Sequence, residues 1–130
     1  MNYKQVEAFC LALPGVTRHT PWGDSIVFKV GGKMFAMLAL EGGSKPTEIW
    51  FKAGDASFAI LTKAKGIRPC PYLARAKWVA VEGFKPLKPT ELKAYLTRAH
   101  ALVAQGLSKK VRAGLGVAEP PRRSAFDPLA

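Results

Sequence analysis

Two cysteines and two histidines are the residues whose types could first suggest chemistry. Zinc takes three or four nitrogen, sulfur or oxygen ligands within tetrahedral reach. Cys10 and Cys70 are far apart and have no close Cys or His neighbour, and His19 and His100 fall on different elements. No metal is expected. Cys10 reads as a small core residue and His100 as a polar group on a helix surface. A catalytic nucleophile needs a base beside it and a group that orients the base. There is no G-x-S-x-G, and Ser25, Ser44, Ser57, Ser108 and Ser124 stand in no such setting. Cys10 is on the apolar face of a predicted helix, where a thiol is inert. With only nine Asp and Glu in the chain, a working carboxylate pair is not expected. Asp24, after Pro21-Trp22-Gly23, reads as a turn cap. Gly31-Gly32-Lys33 lacks the spacing of a phosphate loop and has strand patterns on both sides, so it reads as a hairpin turn. No cofactor and no catalytic activity are expected.

Nucleic-acid binding has more behind it. The chain carries 20 Lys and Arg against 9 Asp and Glu, a formal charge of +11. The excess grows along the sequence: +1 over residues 1–42, +4 over 43–82 and +6 over 83–130. A positive field speeds encounter with anions without specifying a groove. Within it, cations alternate with aromatic and apolar residues: Lys29, Lys33, Trp50, Lys52, Arg68, Tyr72, Arg75, Lys77 and Trp78. The first eight are the candidate nucleic-acid-binding residues, the cations on phosphates and Trp50 or Tyr72 in stacking or packing. Phosphate contacts position a protein on nucleic acid but do not read its sequence. On a strand, Trp50 and Lys52 share a face, and Lys77 and Val79 share one from which Trp78 turns away. The competing reading makes Trp50, Tyr72 and Trp78 packing residues and the lysines a solvated sheet edge that discourages aggregation. Trp78 is expected in the core; Trp50 is left open between core and surface.

These residues need elements to hold them. Asn2 and Gln5 form a capping box for a helix carrying Val6, Phe9, Cys10 and Leu13 on one face, and Pro14-Gly15 stops it. Val16 to Gly23 reads as a connector. Ser25 to Val30 alternates as a half-buried strand, Gly31-Gly32 suits a type I′ turn, and Lys33 to Leu40 returns, apolar on both faces. Glu41 to Pro46 is a longer turn, and Thr47 to Lys52 is a third strand. Asp55 is the expected cap of a second helix, with Phe58 and Leu61 inward and Lys63, Lys65 and Gly66 at its end. Ile67 to Pro71, with two prolines, allows only a short or edge strand. Lys77 to Glu82 is a strand. Leu92, Tyr95, Leu96, Ala99, Leu102 and Val103 mark a long helix reaching toward Arg112. The expected order is α-β-β-β-α-β-β-α, an α+β two-layer sandwich with about five antiparallel strands and helices on one face. One domain over 1–112 and a Gly, Pro and Arg tail over 113–130 are expected.

Composition sets the outer bounds. At 48% hydrophobic and 22% charged residues, the chain is not intrinsically disordered. No apolar run approaches the ~18 residues of a membrane span, and Met1 to Gln5 shows no apolar signal core. A cytoplasmic location without membrane contact is expected.

Three strings carry a resemblance: Pro21-Trp22-Gly23-Asp24, Val27 to Ala36 (VFKVGGKMFA), and Arg68 to Val79 (RPCPYLARAKWV). In order and spacing they resemble the MmcQ/YjbR family over about residues 2–112. Cys70 and Ala99-His100 depart from the commoner Ala and Ser-Tyr of relatives. The resemblance implies a CyaY-like or "double wing" α+β fold, related in shape to type III secretion chaperones, and a DNA-binding label. It supplies no catalytic residues. Two functions follow as expectations. One is a DNA-binding protein that meets phosphates through a basic face. The other is a protein- or peptide-binding, or self-associating, module that uses an uncovered sheet face around Trp50.

Overall fold

The Asn2 side chain accepts the Gln5 backbone N–H at 2.9 Å, and the Gln5 side chain accepts that of Asn2 at 2.9 Å. This reciprocal cap starts helix α1 (Tyr3–Leu11), which buries Val6 and Cys10. The structure, a computed structural model, describes residues 1–21, 25–39 and 47–116. Trp22, Gly23 and Asp24, the turn at 41–46 and most of the expected tail lie outside those residues.

The described residues build a six-stranded antiparallel sheet in the order β1-β2-β3-β4-β6-β5. Its strands are β1 (Val16–His19), β2 (Ile26–Val30), β3 (Lys33–Ala39), β4 (Glu48–Lys52), β5 (Ile67–Pro69) and β6 (Trp78–Glu82). The expected connector therefore begins with an edge strand. Val16 pairs with Val30 and His19 with Val27. Thr17, Arg18 and His19 are exposed, so no apolar alternation marks this strand; the pairing with β2 defines it. Gly31 and Gly32 have φ of +59° and +80°, the two positive angles that a type I′ turn requires. A register shift follows, because Phe28 pairs with Ala36 and Lys29 with Met34. Phe35 is the extra residue of this bulge, and both it and Ala36 join the helix-side core.

Helices α2 (Asp55–Leu61), α3 (Pro89–Gln105) and α4 (Lys109–Gly114) complete the elements of the described residues. Gly54, at φ +85°, occupies the cap of α2 in place of the expected Asp55. Asp55 is instead in the first turn, where its charge complements the helix dipole. The long C-terminal helix is two helices. α3 stops at Gly106, and the Ser108 hydroxyl accepts the Val111 N–H at 3.2 Å to start α4, which crosses the expected boundary at residue 112. Leu107, in the break, packs on the β2–β3 turn: a Cβ on Gly31 would lie 2.5 Å from Leu107 Cδ1.

The main core lies between the helices and one sheet face, with Phe28, Phe35, Leu38, Ile49, Phe51, Leu92 and Leu96 fully buried. His100 is here too, not on a helix surface. Its ring meets Phe35 edge-on at 5.4 Å, and Nε2 is 2.7 Å from the Pro14 carbonyl. A carbonyl only accepts, so Nε2 carries the proton and ties α3 to the end of α1.

The second sheet face is not uncovered. Val27, Met37, Ala39, Trp78 and Ala80 are buried there, so β2 is buried on both faces rather than on one. Segment 70–77 folds over one side of this face and packs Leu73 against Cys70, Trp78 and Ala80. Half-buried Trp50 and Met34 touch the clusters on both sides. The exposed large hydrophobics among the described residues are Leu11, Ile60, Tyr72 and Val111, none of them on a sheet strand. An apolar platform around Trp50, expected for a peptide-binding module, is therefore not present among them.

Candidate nucleic-acid interface

Strand register sorts the candidate residues into rows across the second face. One row runs His19, Val27, Met37, Trp50, Ala80 and Arg68. The next, toward the β2–β3 turn, contains Thr17, Lys29 and Met34, with Lys52 opposite Trp78 further across. The row on the other side holds Ala39, Glu48 and Glu82. This face thus has cations toward the turn and carboxylates toward the other end.

The carboxylate end claims two candidates. Arg68 makes a bidentate pair with Glu48, Nη1 to Oε2 at 2.9 Å and Nη2 to Oε1 at 3.0 Å, and lies 3.4 Å from Glu82. Glu48 is almost fully buried and also accepts the Trp50 indole N–H at 2.9 Å. Arg68 is therefore the internal counterion of a buried carboxylate, which removes most of its pull on a phosphate. Trp50 is aligned by the same carboxylate and packs into the face instead of standing clear of it.

The other candidates reach one end of the molecule by topology. β2 ends there at Val30, β3 starts at Lys33, β4 ends at Lys52, β5 ends at Pro69 and β6 starts at Trp78. Lys29, Lys33, Lys52, Tyr72, Arg75 and Lys77 all belong to these strand ends or to the segment joining β5 to β6. Lys29 and Lys52 are on the second face. Lys33, partner of the core residue Val30, is on the helix side by register. Lys77 also turns to the helix side, its ammonium 4.9 Å over the Phe58 ring. Arg75 is exposed on the 3-10 turn Ala74–Ala76. Four neighbouring strands, β2, β3, β4 and β6, bring cations to this end across three inter-strand spacings, roughly 15 Å.

Two further cations join them that the sequence pattern did not single out. Leu107 against Gly31 and Leu115 against Gly15 hold α4 beside the same end, with Lys109 and Lys110 exposed in its first turn. The Ser108 cap was the available signal. Of the five described acids, Asp55 is at this end, Glu48, Glu82 and Glu91 are at the other, and Glu7, midway along α1, lies 3.5 Å from Arg18.

Nothing in the geometry of the thiols favours chemistry. Burial pushes Cys10 up to about 12, with the Glu7 charge adding to the effect. Burial also pushes Cys70 up to about 12, where Arg68 opposes the rise and Glu48 adds to it. Both therefore stay protonated at neutral pH. Among the described residues no three His, Cys, Asp or Glu side chains group as metal ligands. No helix among them is long and apolar enough to cross a membrane.

The architecture is that of a small α+β protein with an open antiparallel sheet, helices on one face and a charged hairpin end. The YjbR family model matches residues 11–102, and the chain belongs to the YjbR family. Solved structures similar to the chain include these two. The Deinococcus radiodurans protein DR2400, with a DUF419 family-model domain, aligns with a TM-score of 0.79 at 22% identity, covering 97% of this chain and 96% of its own. A structural-genomics target from Pseudomonas syringae, PsR293, aligns with a TM-score of 0.64 at 23% identity over 78% of this chain and 98% of its own. At these identities the likeness speaks for the fold. No curated protein matches the chain.

Proposed function

We propose that the protein is a cytoplasmic DNA-binding protein, without catalytic activity, that meets phosphates through the hairpin end of its sheet. The observation carrying this reading is the convergence there of Lys29, Lys33, Lys52, Arg75, Lys77, Lys109 and Lys110, with Asp55 beside them and Glu7, midway along α1, paired with Arg18. The row geometry of the second face adds to it, since Lys29 and Lys52 point the same way while Arg68 is held by carboxylates. The cations are on lysine stems and an exposed turn, a surface suited to tracking a backbone and not to reading base edges.

Titration of a labelled DNA at several salt concentrations tests the reading. Log K falls against log salt with a slope of roughly −0.9 per duplex phosphate neutralised. Lys52→Ala or Lys29→Ala lowers affinity on every sequence and reduces that slope by about 1. Lys63→Ala, at the opposite end, leaves both unchanged. Equal losses from the two ends, or no binding at low salt, refute the proposal.

A further inference from the structure

Tyr72 is fully exposed and has φ +65°, a left-handed backbone that a bulky L residue rarely adopts. Its neighbours explain how this position is held. The Cys70 N–H donates to the Trp78 carbonyl at 3.1 Å, Leu73 N–H to Cys70 at 3.2 Å, and Trp78 N–H to Leu73 at 3.2 Å. These bonds close segment 70–77 at its base, and the Leu73 side chain is packed inward against Cys70 and Trp78. With Leu73 turned in, the strained residue before it is turned out. The same closed segment carries exposed Arg75, and Cys70 is bonded beside Trp78, whose other neighbour is Lys52. Cys70, at the base of this segment, is thus about two strand spacings, roughly 10 Å, from Lys52, with Lys29 two strands further across, and the segment holds an aromatic ring in solvent on that side of the cations.

Resting on the proposed DNA contact at the hairpin end, we infer that this end takes single-stranded nucleic acid, with Tyr72 as the platform on which an unpaired base stacks. A paired base inside a duplex has both π-faces covered by its neighbours, so an exposed ring beside a basic track stacks without the cost of parting base pairs where bases are unpaired. The cations follow the backbone and supply the salt dependence. The ring supplies an uncharged contact that salt does not screen. A peptide occupant would need an apolar surface around the ring, and the other exposed large hydrophobics described are on α1, α2 and α4.

The test compares labelled oligothymidylate with a blunt duplex of equal strand length, using the full chain and its Tyr72→Ala and Tyr72→Phe variants, with circular dichroism confirming each fold. Tyr72→Ala weakens oligothymidylate binding roughly 5-fold or more while leaving its salt slope and the duplex affinity unchanged. Tyr72→Phe, which keeps the ring, binds like the parent. Unchanged oligothymidylate affinity in Tyr72→Ala, or equal loss on both probes, overturns this inference and leaves the phosphate-contact reading standing. A loss confined to the duplex overturns it in favour of a ring wedged between base pairs. No binding of either probe by the parent chain overturns both readings.

Discussion

The buried carboxylate of Glu48 shows how one side chain sets the roles of others. It orients Trp50, neutralises Arg68 and reserves both for internal use. Arg68→Ala leaves that carboxylate without its main counterion, and chemical denaturation should show a loss of roughly 1–3 kcal/mol. The same variant should leave the salt slope of DNA binding unchanged, in contrast to Lys52→Ala. Tyr72 presents the opposite case, a side chain without packing on a strained backbone. Tyr72→Gly relieves the left-handed strain and should raise stability by about 0.5–1 kcal/mol while removing the ring. A residue that costs stability where it stands is consistent with a role outside the fold.

At the level of elements, the β2–β3 hairpin joins sheet, helix and candidate interface. Both turn glycines have positive φ, but their surroundings differ. A Cβ on Gly32 meets nothing within 4 Å, whereas one on Gly31 collides with Leu107. Gly32→Ala should therefore cost about 1 kcal/mol, from backbone strain. Gly31→Ala should cost roughly 1–3 kcal/mol more because it overpacks the contact that positions α4. Combining Gly31→Ala with Leu107→Ala should cost less than the sum of the two, as residues in contact are not additive. Thermal melts of the four chains check this ordering. The hairpin and the α1 capping box were legible from local sequence, since each needs only neighbours in the chain. The strand β1 was not, because an exposed edge strand shows no apolar alternation. The break after Gly106 was obscured by an apolar pattern that continues through Leu107 and Val111.

For the whole molecule, the two thiols sample the two layers. Cys10 is in the helix-side core and Cys70 on the second face. Both are raised from the ordinary 9.0 to about 12. Above pH 9 the unfolded chain gives up thiol protons that the folded chain keeps. The folded state then binds more protons, so stability falls as pH rises from about 9 toward 12. Denaturant midpoints across that range should decline, and replacing both cysteines with alanine should flatten the decline. Tyr95, also raised, mainly by burial, contributes in the same direction. Charge is arranged on this scale too: seven cations with Asp55 stand at the β2–β3 turn end, whereas at the far end Lys63, Lys65, Arg68, Lys85 and Lys88 stand with Glu48, Glu82 and Glu91.

By itself, the sequence determined the α+β class, most of the elements, the turn chemistry and the excess of positive charge, because periodicity, caps and glycine pairs act between residues a few positions apart. It also placed Trp78 in the core. Tertiary structure alone decided which cations converge. Register set Lys29 and Lys52 on one face, packing against Gly31 brought Lys109 and Lys110 to the same end, and a buried glutamate twenty positions away withdrew Arg68 from it. His100, polar in sequence, became a buried link between two helices for the same reason. Burial and charge pairing depend on what the folded chain brings near, and one-dimensional spacing does not record it.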